Sequence, residues 1–109
     1  MQCTASGIVS NITPGTDTLT KIEIVWLPTD TTSGNLQARA NAESVNQITI
    51  TDATAIANFQ GSGTTISSPN IVNGTSYIFA IRCTETRSGT DYSGLWTNSD
   101  NFTPITPTA

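Results

Sequence analysis

Enzymes draw their nucleophiles, bases and metal ligands from a short list of side chains, and this chain is poor in them. It has no histidine, which removes Ser–His and Cys–His nucleophile pairs, imidazole acid–base steps and histidine-bearing zinc sites. Its two cysteines, Cys3 and Cys83, fall short of the ligand set of a structural zinc centre. No glycine-rich loop leads from a strand into a helix to cradle phosphate. Carboxylates remain, with Asp30, Asp52, Asp91 and Asp100 among eight acids spread over turn-like stretches. Paired acids could do general acid–base work, and Asp30 or Asp91 could lend oxygens to calcium. None has EF-hand spacing, and acids on turns ordinarily do no more than keep a loop solvated. The expectation is a protein that is not an enzyme, with no catalytic residue, no cofactor and no metal site.

Contact chemistry is better supplied. Trp96 stands beside Gly94 and near Tyr92, with Arg87 and Asp91 just upstream. Arg87, Asp91, Tyr92 and Trp96 together form a candidate contact patch, since an aromatic with a polar handle is a common interface anchor. Burial beside the opposite sheet is the favoured reading for Trp96, because Trp is highly buried on average. Residues 87–91 read as an ordinary hairpin loop. Sequons at Asn11, Asn73 and Asn101 carry no inference in a chain this rich in Asn and Thr.

The body that must position these residues is small. A chain of 109 residues suits one domain. Only 11% of it is charged, and a surface of Thr, Ser, Asn and Gly is the texture of a β-rich module. The net charge is −4, and the basic residues Lys21, Arg39, Arg82 and Arg87 are scattered, so no basic stripe is present to meet phosphates and nucleic acid is not an expected partner. No apolar run approaches the roughly 18 residues of a membrane span, and residues 1–4 lack the features of a signal peptide. No membrane insertion is expected.

The clearest strand is residues 21–27, closed by Pro28, whose alternation sets Ile22, Ile24 and Trp26 on one face. Residues 36–40 and 47–51 alternate in the same way and read as half-buried strands. After the Gly61-Ser62-Gly63 turn comes a strand at 64–67. Beyond the Asn73-Gly74 turn lies the strongest strand, 76–83, with Tyr77, Phe79, Ile81 and Cys83 on one face. A first strand falls within 4–9 and a last within 94–102. Residues 52–60 stay open between one helical turn and a strand or loop, and no longer helix has a supporting period. Ile22, Ile24, Trp26, Leu36, Ile48, Ile66, Tyr77, Phe79 and Ile81 should then meet in one core. Val25, Leu27, Ile78 and Ala80 fall on outward faces, an apolar set that invites a copy of the chain or a larger body. The expected fold is all-β, a two-sheet antiparallel sandwich of about seven strands over residues 1–103, followed by a Pro/Thr-rich tail or linker at 104–109.

The spacing resembles the fibronectin type III family across essentially the whole chain. Trp26 followed by Pro28 is similar to the family's Trp at the end of its second strand. Leu36 stands where the third strand places an apolar residue. Residues 71–77 resemble the corner in which a Tyr hydroxyl bonds back to the backbone. Residues 89–94 and Phe102-Thr103 look like the last loop and last strand. Asn73 departs from the usual Pro, and residues 52–63 are longer than the pattern. The resemblance implies a structural or adhesion module on a virion or cell surface, meeting other protein subunits or a surface glycan and assembling with copies of itself or in a larger particle. Alternatives are an accessory domain of a secreted carbohydrate-active enzyme and a self-contained capsid decoration protein. The sandwich topology also implies that the first strand begins where the sixth ends, so Cys3 and Cys83 are candidates for a disulfide. Two separate buried thiols are the competing expectation.

Overall fold

A computed structural model describes residues 2–4, 18–62, 65–98 and 102–107. The strands are β1 (Gln2–Thr4), β2 (Thr18–Leu27), β3 (Gln47–Ile50), β4 (Thr65–Ser67), β5 (Ile78–Arg87), β6 (Thr90–Ser93) and β7 (Thr97–Asn98), and the helices are α1 (Leu36–Ala42) and α2 (Ala53–Ser62). The long β2 and β5 follow from their β-branched and aromatic residues. Among the described residues all strand pairs are antiparallel. The main sheet runs β3-β2-β5-β6, with β7 also on the outer side of β5, and β1 pairs with β4 in a separate two-stranded sheet. An all-β character with two short helices is therefore established.

Ser88 and Gly89 both have positive φ, 50° and 80°, the two-residue type I′ turn that suits strand twist. It brings Thr90 opposite Arg87. Residues 90–93, expected as loop, are consequently a strand. The Pro/Thr-rich end is bound to the body: Ile105 exchanges backbone hydrogen bonds of 2.9 and 2.8 Å with Tyr77, and the Gly74 N–H donates to the Pro107 carbonyl at 3.0 Å. The first strand expected at 4–9 lies outside the described residues beyond Thr4.

Two stretches depart from the strand reading. Residues 36–42 form α1. Leu, Gln, Ala and Arg are good helix formers and no β-branched residue interrupts them, while Leu36 and Ala40, one helical turn apart, are both buried. Residues 53–62 form α2, longer than the single turn weighed above. Asp52 starts it by accepting the Ala55 N–H on its carboxylate at 2.9 Å, and Ile56 and Phe59 turn inward.

These helices make the sheet buried on both faces. On one face Ile22, Ile24, Trp26, Phe79 and Ile81 meet Ile56 and Phe59 of α2, Ile66 of β4 and Ile71, with Ile48 and Tyr77 at the rim. On the other, Val25, Leu27, Ile78 and Ala80 lie under Leu36, Ala40 and Trp96. Leu36 thus belongs to the second cluster, not to the core with Trp26. The alternation correctly separated the two sets, but Val25, Leu27, Ile78 and Ala80 are not an exposed docking surface, because the chain covers them itself.

Candidate functional site

Trp96 ends the short break between β6 and β7, where the Gly94 N–H still bonds the Cys83 carbonyl at 3.0 Å. From there its ring is buried over β5. Its indole N–H donates to Asn41 Oδ1 at 2.8 Å. Its backbone N–H donates to Gln37 Oε1 at 2.9 Å, and Gln37 Nε2 donates to its carbonyl at 2.7 Å. Gln37 and Asn41 are four residues apart on α1, so one helix face holds both ends of the tryptophan.

Arg82 closes the arrangement from the sheet. Its guanidinium carbon lies 4.6 Å from the Trp96 ring centroid, a cation–π distance. Nε and Nη2 fork onto the Glu23 carboxylate at 3.1 and 3.0 Å, and Nη1 donates to Asn41 Oδ1 at 3.2 Å. Lys21 Nζ approaches the same carboxylate at 3.8 Å. Glu23, Asn41 and Trp96, the partners of Arg82, belong to the sheet, to α1 and to the β6–β7 connection, so the cluster serves as a clasp between helix, sheet and edge rather than as a reactive centre. Its residues, Glu23, Gln37, Asn41 and Arg82, were not singled out in the sequence. The i, i+4 pair Gln37–Asn41 becomes a signal only once residues 36–42 are recognised as helical.

The candidate patch is accordingly divided. Trp96, 4% exposed, is a core residue and not a surface contact. Tyr92 is 51% exposed and Asp91 is exposed, with the Asp91 carboxylate accepting the Thr86 hydroxyl at 2.7 Å. The side chain of Arg87 lies outside the described residues. Leu95, which the residue pattern does not single out, is 77% exposed and precedes the buried Trp96, so the β6–β7 edge carries two exposed large apolar side chains, Tyr92 and Leu95.

The acids weighed as reactive or metal-binding groups serve the fold. Asp30 pairs with Arg39 through both guanidinium Nη atoms, at 2.5 and 3.3 Å, and the hydrogen-bonded Arg39 holds its carboxyl below the usual range. Asp52 caps α2, and Asp100 lies outside the described residues. Among the described residues no three His, Cys, Asp or Glu side chains gather as a metal site would require.

Cys83 carries a free thiol, and burial, aided by the negative charge of Glu85, pushes its pKa up to about 11. The bridge to Cys3 is therefore not part of this structure. Cys3 lies on β1 opposite Ile66, whereas Cys83 lies opposite Ile22 in the middle of the main sheet. The side chain of Cys3 is outside the described residues.

No family model, curated protein or solved structure matches the chain. No described helix is long and apolar enough to cross a membrane.

Proposed function

We propose that the chain is a non-catalytic contact module of fibronectin type III-like design, displayed on a virion or cell surface, that meets another protein subunit or a surface glycan through the β6–β7 edge. The observation that carries this reading is the exposure of Tyr92 and Leu95, 51% and 77%, on the rim of a body in which Asp30, Arg39, Asp52, Arg82, Glu23 and Asp91 are tied to structural neighbours. Two features support the sandwich assignment. The order β3-β2-β5-β6, with β1-β4 apart and Ile66 of β4 packed on the Trp26 face, is compatible with two facing antiparallel sheets, and the Tyr77 hydroxyl accepts the Val72 N–H at 3.3 Å, a tyrosine-corner contact.

The test is a Tyr92→Ser/Leu95→Ser variant, compared with the parent for retention on a glycan array and on immobilised surface proteins. Both side chains are exposed, so the variant should remain folded by circular dichroism and lose most of its retention. Unchanged retention would remove this edge as the contact surface.

A further inference from the structure

The opposite edge of the main sheet carries a separate surface. β3 is the outermost strand there among the described residues, and residues 44–51, Ser-Val-Asn-Gln-Ile-Thr-Ile-Thr, contain no charge, no proline and no glycine. Sheet edges are ordinarily protected by such residues, and an uncharged β-branched edge is a template for another strand. Val45, at the start of this stretch, is 65% exposed.

Backbone geometry says which groups are presented. The Trp26 N–H donates to the Asn46 carbonyl at 3.1 Å, and the register sets Ile24 opposite Ile48 and Ile22 opposite Ile50. Bonding alternates along an antiparallel ladder, so Ile48 and Ile50 bond inward to β2. The N–H and C=O groups of Gln47 and Thr49 are then directed away from the sheet.

We infer that β3 pairs antiparallel with β3 of a second copy of this chain, about a two-fold axis at Thr49, to make one sheet continuous across both copies. Directly opposed residues must share a face, and this axis satisfies that rule: Thr49 meets its own counterpart, Gln47 meets Thr51, and Ile48 meets Ile50. Thr49 and its counterpart would exchange both backbone hydrogen bonds. The Ile48–Ile50 pairs fall on the face where both already pack at the rim of the Trp26 cluster, extending that apolar stripe across the junction. Thr–Thr and apolar β-branched pairs are favourable opposites, and no like charges meet. The interface is thus self-complementary, as a two-fold contact must be. It names a partner for an edge that the proposed contact role does not use.

The experiment is sedimentation equilibrium on the parent, Thr49→Lys, Thr49→Glu and an equimolar mixture of the two variants, each checked by circular dichroism and thermal melting. The exposed Thr49 side chain lets both variants fold, while the two-fold sets like charges directly opposite. The parent should form dimers at high micromolar concentration, with slowed amide hydrogen exchange at Gln47 and Thr49. Each variant alone should show at least a tenfold weaker dimer, and the mixture should restore dimers as Lys–Glu pairs. A monomeric parent, or a dimer that neither substitution weakens, would overturn the inference. Because Tyr92 and Leu95 lie on the far edge, binding through them would persist in either case, so the two proposals fail separately.

Discussion

The two faces of the β2–β5 pair are built from the same strands and closed by different means. On the first face Trp26 sits amid aliphatic and aromatic side chains, its ring centroid 6.2 Å from that of Phe79, and its only side-chain donor goes to the Asn70 carbonyl at 3.3 Å. On the second, Trp96 is held at its backbone and its indole nitrogen by Gln37 and Asn41, with Arg82 over its ring. The first closure is mainly apolar packing, which tolerates volume-conserving change. The second depends on directional bonds, in which each lost partner strands another polar group.

The largest effect expected from this contrast is at Trp26. Trp26→Ala should destabilise the fold by about 3–5 kcal/mol in denaturant titration, as other large buried aromatics do. A melting temperature within a degree or two of the parent would mean that the first face is not the principal core. Next, Arg82→Met should cost about 3 kcal/mol because it leaves the mostly buried Glu23 without its fork. A double-mutant cycle with Trp96→Phe should give a coupling of about 1 kcal/mol. Additive losses would show that the clasp is a set of independent contacts.

A smaller effect tests the covering of the second face. Ala38 is exposed on α1, so Ala38→Gly should cost about 1 kcal/mol and Ala38→Val less, through helix propensity alone. Were the segment a strand, valine would stabilise it.

The smallest effects are electrostatic. Asp30 is held below its ordinary range by Arg39, so its contribution is present above the unfolded carboxylate pKa and disappears as pH falls through the lowered one. Both partners are solvent-facing, and Asp30→Asn should remove only a slight acid-side slope in stability. Cys83 has the opposite sign. Its thiol is raised from 9.0 to about 11, so stability should be intact below 9.0 and decline as pH rises toward 11. Cys83→Ala should flatten that alkaline decline. Native-state alkylation of Cys83 at neutral pH should be slow, because the thiolate is the reactive form.

Much of the first face was legible in the residue pattern. Ile22, Ile24 and Trp26, and Phe79 and Ile81, announce a buried face by their spacing of two, and the structure sets them opposite one another. The covering elements were less legible. α2 offers Asp52 as cap and Ile56 and Phe59 at helical spacing, but its alanines are equally at home in a loop. In α1, Leu36, Ala38 and Ala40 alternate as a strand would, while Leu36 and Ala40 also satisfy a helix.

By itself the sequence determined the chemical inventory, without histidine and with scattered charges, and the strand character and facing of β2 and β5. Both properties are local: one is composition, the other the alternation that a pleated strand imposes on its side chains. Only the tertiary structure decided that residues 36–42 are a helix, that Trp96 is buried, and that Val25, Leu27, Ile78 and Ala80 are covered. A seven-residue helix is too short to hold itself in water. It exists because an apolar sheet face and the clasp of Trp96 and Arg82 hold it there, and no window of sequence contains that partner.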